Sequence, residues 1–225
     1  MAEGLKPFEE IIGIGAEAVL IKSSWFGHPC LIKRRLPKAY RLPELDKMIR
    51  KQRTILEVRA LISAKECGVL TPMVFEVDVN AGSIIMDFIN GTTLKESIPK
   101  LSIVQLQSTF LTVGRAVGKL HQGGIIHGDL TTSNILVTGN NDLIFIDFGL
   151  TQRSQSLEDR GVEVHLLKRV LTSTHAPIWK EAYASFLLGY GETGPHSANE
   201  IDTRVTAIEL RGRYIKKENR HKRLS

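Results

Sequence analysis

Apolar positions in the first ninety residues fall in short runs, whereas those of the remainder recur at helical spacing. Residues 10–22 predict two strand-like pieces around a turn of small residues, Gly13-Ile14-Gly15-Ala16-Glu17-Ala18. Phe26-Gly27-His28-Pro29 reads as a turn, and Cys30-Leu31-Ile32 as a short strand. Pro37 and Pro43 interrupt the chain. Leu45, Met48, Ile49, Leu56, Leu61 and Ile62 then predict a helix over 45–67, with Gly68 as its stop. Strands are expected at 74–79 and 83–88, flanking an Asn80-Ala81-Gly82 turn.

Asn90-Gly91 marks a break, after which helices are expected at 101–121, 157–171, 178–188 and 198–214. One β interlude, 135–137 and 143–146, surrounds Gly139-Asn140-Asn141. A strand-rich first third with one helix, followed by a helix-rich remainder, predicts an α+β fold of two lobes. The expected division is a small β-rich N-lobe at 1–89, a reduced helical C-lobe at 90–210 and a tail at 211–225. Residues 215–225 carry no apolar stripe and are expected to be disordered until bound.

Composition narrows the function classes. With 225 residues, 42% hydrophobic and 24% charged, the chain reads as soluble and globular. No apolar run approaches the ~20 residues that span a bilayer, so no membrane partner is expected. Residues 1–8 lack a cationic stretch followed by an apolar one, so no secretory leader is expected. Two cysteines, Cys30 and Cys67, are too few for a disulfide scaffold and read as buried thiols. A cytoplasmic location is expected, or a nuclear one in a eukaryote. The formal charge of +6 is unevenly placed: residues 211–225 carry net +6, residues 33–59 net +7, and the rest is acidic. Two cationic segments on an acidic body admit nucleic acid as a partner.

The densest chemistry is the run His127-Gly128-Asp129-Leu130-Thr131-Thr132-Ser133-Asn134, just before an expected strand. Its Asp129 can orient a hydroxyl or water, and the Asn134 amide oxygen can help hold a divalent metal. Thirteen residues later, Asp147-Phe148-Gly149 supplies a second carboxylate as a strand ends at a glycine. Two oxygen ligands brought together by a hairpin suit Mg²⁺, which also takes phosphate oxygens. Order and separation match the catalytic and metal loops of the protein-kinase-like fold.

Upstream residues fit the same pattern. Lys33 follows the run Cys30 to Ile32, as a strand lysine for the α- and β-phosphates does. Glu57, 24 residues on, is the expected ion-pair partner of Lys33; a helix-surface pair with Arg53 is the competing reading. Gly13, Gly15, Ala16, Glu17 and Ala18 form a reduced glycine loop, with alanine where a third glycine is usual. Leu20 and Leu31 are candidates to cover an adenine, and Met86, Asp87 and Ile89 to form the hinge beside it. Core packing is the competing reading for each apolar residue. His127 is expected to pack beneath the catalytic loop.

These motifs, with Arg53-Thr54, Glu158-Asp159 and Arg211-Gly212-Arg213, resemble the small atypical kinase subunit of the KEOPS (EKC) complex, a family related to p53-related protein kinase. The resemblance spans about residues 10–215. It implies Mg²⁺-dependent ATP hydrolysis, an atypical Ser/Thr kinase activity and support of threonylcarbamoyladenosine formation on tRNA. It also implies partners: a threonylcarbamoyl-transferase subunit, a small regulatory subunit, and tRNA through the tail and the 33–59 stretch. Two departures from ordinary protein kinases accord with it. Gly128 stands where an arginine usually precedes the catalytic Asp, and only ten residues separate Asp147 from Leu157, with no Ala-Pro-Glu motif. A dedicated protein Ser/Thr kinase, an aminoglycoside-type phosphotransferase and a non-catalytic binding module are the competing readings.

Overall fold

The computed structural model describes residues 9–15 and 17–221, with side chains described as far as Arg211. It has a strand-rich first part and a helical second part, the α+β architecture expected. Strands β1 (Glu10–Ile14), β2 (Ala18–Trp25), β3 (His28–Arg35), β4 (Val74–Asp78) and β5 (Ser83–Asp87) form one antiparallel sheet in the order β1-β2-β3-β5-β4. The β2–β3 turn is tighter than the sequence predicts. Phe26 and Gly27 both adopt positive φ, +48° and +84°, which closes a two-residue hairpin and leaves His28 and Pro29 inside β3.

Register decides which side chains share a face. Ala18 pairs with Arg35, Leu20 with Lys33, and Leu31 with Met86. Side chains two apart along a strand point the same way, so Leu31, Lys33 and Arg35 share one face of β3 while Arg34 is exposed on the other.

Helix α1 (Pro43–Glu66) starts two residues earlier than its apolar pattern predicts, because Pro43 sits in the first turn where no donor is lost. Its buried stripe is Thr54, Glu57, Ala60, Leu61 and Ala64. Asp46 near the helix start is also buried and pairs with Arg50, whereas the Glu57 carboxylate, among uncharged buried neighbours, demands a cation from the sheet.

The second part begins with β6 (Gly91–Thr93), the one-turn helix α2 (Leu94–Ser97) and a 3-10 turn at Ile98–Lys100. Capping boxes at Thr93/Glu96 and Ser102/Gln105 start α2 and α3 (Ile103–Gln122). Helices α3 and α5 (Trp179–Thr193) approach backbone to backbone. A Cβ built on Gly114 would lie 2.1 Å from the Phe186 carbonyl oxygen, and one on Gly189 2.0 Å from that of Leu111. Phe110, Val117, Val164, Phe186 and Val205 fill the core between α3, α4 (Leu157–Thr174), α5 and α6 (Ala198–His221).

Helix α6 corrects the expectation for the tail. Its backbone stays helical through His221, seven residues past the expected end at Tyr214. Residues 211–221 hold five Arg or Lys residues, which favour helix without needing an apolar face. Residues 222–225 lie outside the described residues. Among the described residues no helix is long and apolar enough to cross a membrane.

Candidate active site

Four short strands in two pairs bring the two loop motifs together. Strand β7 (Ile125–Ile126) pairs with β10 (Gln152–Arg153), tying the start of the His127-Gly128-Asp129 loop to the far side of Asp147-Phe148-Gly149. Strands β8 (Ile135–Thr138) and β9 (Leu143–Phe145) pair Ile135 with Phe145, so Asn134 and Asp147 emerge at the same end of one hairpin. The Ile146 amide donates to the Asn134 carbonyl at 3.0 Å, closing that end.

Asp129 and Asn134 are locked to each other. Asn134 Nδ2 donates to Asp129 Oδ2 at 2.9 Å and to the Asp129 carbonyl at 2.8 Å. The Asn134 amide oxygen takes no part in either contact. His127 is buried beneath the loop, as expected, with Nε2 3.1 Å from the Ile146 carbonyl and its ring 4.4 Å from that of Phe148.

Gly128 explains the missing arginine. It sits at φ +85°, and a Cβ there would lie 2.1 Å from the Leu150 carbonyl oxygen. The turn after Asp147 folds so closely onto the His127-Gly128-Asp129 loop that no side chain fits. The Gly128 amide donates to Glu163 Oε1 at 2.7 Å.

On the sheet side, Lys33 Nζ lies 2.6 Å from Glu57 Oε1 and 2.8 Å from Asp147 Oδ1. Lys33 therefore pairs with Glu57, and the competing partner Arg53 pairs with Glu17 of the glycine loop instead. Burial opposes the charge on Lys33, but the carboxylates of Glu57 and Asp147 outweigh it and hold the ammonium's pKa above its usual value. Burial likewise opposes the Asp147 carboxylate, yet Lys33 and the Gly149 amide hold its pKa below the usual range. Asp147 itself adopts φ +60°, an uncommon conformation for a non-glycine residue.

A cleft of about 690 Å³ opens between these groups. Its walls include Gly15, Glu17, Ala18, Leu20, Leu31, Lys33, Glu57, Met86, Asp87, Ile89, Asp129, Asn134 and Asp147. Gly13 does not line it. Ala16 lies outside the described residues. Sequence reading missed Arg35, which lines the cleft and shares Glu57 with Lys33, and Leu136 and Ile146, which line it from the β8–β9 hairpin. Alternation along β3 was the available signal for Arg35.

The donor set fits a cation that arrives with phosphate. Among the described residues no group of three or more His, Cys, Asp or Glu is placed to hold a metal alone. One carboxylate and one amide oxygen, both hard donors, suit Mg²⁺ that completes its shell with water and phosphate oxygens. Cys30 is buried, as expected, whereas Cys67 is only half-buried.

Residues 31–176 match the protein kinase domain family. The chain is 43% identical to the KEOPS complex subunit Bud32 of Pyrococcus abyssi over 212 residues, covering 91% of this chain and 96% of that one. It is 37% identical to the EKC/KEOPS complex subunit bud32 of Dictyostelium discoideum over 209 residues, covering 90% of this chain and 82% of that one. A probable bifunctional tRNA threonylcarbamoyladenosine biosynthesis protein of Methanothermobacter thermautotrophicus is 40% identical over 94% of this chain. The chain spans only 38% of the length of that bifunctional relative.

Proposed function

This chain belongs to the Bud32 family of kinase-domain proteins, and on that premise we propose that it hydrolyses ATP as a KEOPS subunit supporting threonylcarbamoyladenosine formation on tRNA. A protein kinase domain implies ATP use. The observation that carries the catalytic reading is the convergence of Lys33, Glu57, Asp129, Asn134 and Asp147 on one cleft.

In this reading Asp129, held by the Asn134 amide, orients the attacking water or hydroxyl through its carboxylate. Lys33, fixed by Glu57, contacts the α- and β-phosphates. Asn134 and Asp147 would hold Mg²⁺, which supplies charge neutralisation at the phosphates when bound. Gly15, Glu17, Ala18 and Leu20 cover the nucleotide from the β1–β2 turn and β2, and Met86, Asp87 and Ile89 meet its base from the hinge. The Glu17–Arg53 pair ties the glycine loop to α1. Such a site works by positioning and electrostatics, because phosphoryl transfer asks for little covalent chemistry from the protein.

Residues 1–89 then serve as the nucleotide lobe, 90–210 as the catalytic lobe and 211–225 as a basic tail. The threonylcarbamoyl-transferase subunit, a small regulatory subunit and tRNA are the partners this reading assigns. A dedicated protein Ser/Thr kinase is the second reading, favoured by the same complete set of side chains. The short segment from Leu150 to Leu157, occupied by β10, leaves little platform for a peptide.

Phosphate release from ATP by the pure chain tests the assignment when measured alone, with tRNA, and with the transferase subunit. Stimulation by partner and tRNA is expected. Transfer to a protein hydroxyl that outpaces phosphate release under all three conditions would favour the second reading.

A further inference from the structure

We propose that Arg35 is a positioning residue of the phosphate site, holding Glu57 in place so that Lys33 is free to serve the nucleotide's phosphates. This rests on the ATP reading above and deepens it.

The Glu57 carboxylate is divided between two cations. Oε1 takes Lys33 Nζ at 2.6 Å, and Oε2 takes Arg35 Nη2. Lys33 and Arg35 are two apart on β3 and so reach Glu57 from the same face of the sheet. Arg35 Nη2 also reaches the Arg53 carbonyl at 3.5 Å, anchoring the guanidinium to α1. Asp147 joins through Lys33, so two cations and two carboxylates form one balanced cluster.

Balance matters when the lysine has two tasks. Glu57 is 1% exposed, and a buried carboxylate that loses its cation is strongly disfavoured. With Lys33 as its sole counter-charge, every turn of the ammonium toward phosphate would strip Glu57. Arg35 removes that conflict. Its guanidinium is pinned by packing, at 5% exposure.

Two further observations place Arg35 with the reacting groups rather than in a generic core. A Cβ built on Gly149 would lie 3.2 Å from Asp147 Oδ1, 3.4 Å from Arg35 Nη2 and 3.7 Å from Glu57 Oε2. The four residues therefore meet at one point beneath the phosphate end of the cleft. Arg35 Nε is buried and has no hydrogen-bond partner. An unpaired buried donor is unfavourable, and a merely structural position would be better filled by an apolar residue.

Calorimetric titration with adenosine, ADP and Mg-ATP distinguishes positioning from packing, using wild type, Arg35→Gln, Arg35→Met and Arg35→Lys. Thermal unfolding confirms which of them are folded. Arg35→Gln and Arg35→Met should weaken ADP and Mg-ATP about ten-fold, the worth of one charge-assisted hydrogen bond, and leave adenosine within about two-fold. Arg35→Lys should recover most of the loss, since an ammonium can still meet Glu57. Equal weakening of adenosine and ATP, or no change in either, would overturn the Arg35 assignment. Wild type that does not prefer Mg-ATP to adenosine would instead overturn the ATP reading, and this inference with it.

Discussion

The carboxylate of Glu163 accepts the amide hydrogen of Gly128 at 2.7 Å, joining α4 to the residue just before Asp129. Its other oxygen lies 2.8 Å from His121 Nε2, and His121 Nδ1 lies 3.0 Å from the Tyr190 hydroxyl. Burial drives the Tyr190 pKa far above its usual value, so the phenol stays a donor. A carboxylate only accepts, so His121 Nε2–H donates to Glu163, which also receives Gly128; in that tautomer Nδ1 is the acceptor for the Tyr190 hydroxyl. Three helices thereby fix the backbone that carries Asp129.

Removing Glu163 tests this chain. Glu163→Ala leaves the Gly128 amide and His121 Nε2 buried without an acceptor. Unfolding stability should fall by about 3 kcal/mol in urea titrations. Glu163→Gln keeps one acceptor and should cost about 1 kcal/mol. Equal stability of both variants with wild type would remove Glu163 from the anchoring of the loop.

Gly128 has a separate constraint in its neighbour Leu150. Gly128→Ala puts a Cβ 2.1 Å from the Leu150 carbonyl oxygen at a φ of +85°. The expected cost is about 2 kcal/mol or more, with turnover reduced about ten-fold or more as the loop shifts. Melting curves and phosphate release, measured on the same preparation, check both parts.

The Lys33–Asp147 pair makes stability depend on pH at both extremes. The folded pKa of Asp147 is below its ordinary 3.8, so its contribution is complete above 3.8 and is lost as pH falls through the depressed folded value. The folded pKa of Lys33 is above its ordinary 10.5, so its contribution is complete below 10.5 and is lost as pH rises through the raised folded value. The stability gap between wild type and Lys33→Met should therefore be full at neutral pH and narrow below pH 3.8. Denaturant titrations from neutral to acid pH measure it, and a gap independent of pH would contradict the pairing.

The tail prediction concerns nucleic acid. Arg204 and Arg211 hold Glu158 at 3.2 and 2.6 Å, so α6 is fastened to α4 as far as Arg211. Deleting residues 212–225 keeps those pairs and removes six further Lys or Arg residues. tRNA affinity should fall, and the slope of log K against log salt should flatten by roughly 0.7–0.9 for each phosphate that the tail neutralises. Filter binding between about 50 and 200 mM salt measures both. An unchanged slope would take tRNA binding away from the tail.

Much of this site was legible in the chain because its motifs are local. Asp129 and Asn134 are five apart, and one hairpin separates Asn134 from Asp147, so spacing alone brings them together. Lys33 and Glu57 were legible because a strand and the following helix limit which carboxylate can return to the sheet. The Glu163–His121–Tyr190 chain was not, since its members lie on three helices and only tertiary packing aligns them. Arg35 was hidden inside the basic 33–59 run, whose charge points to nucleic acid, and only pairing register separates it from the exposed Arg34. The two-residue strands β7 and β10 carry too few side chains to announce a period, yet they clamp the two loops. Helix α6 outran its apolar pattern because the Arg and Lys residues of 211–221 favour helix by propensity.

The central claim is that Asp129 acts on the reacting water or hydroxyl while other residues bind the nucleotide. Turnover and nucleotide affinity of wild type and Asp129→Ala, measured side by side with Mg-ATP, test it most directly. The expected result is a folded variant that binds Mg-ATP nearly as wild type does and hydrolyses it about 10²–10⁴-fold more slowly. Hydrolysis by Asp129→Ala at the wild-type rate would contradict the account.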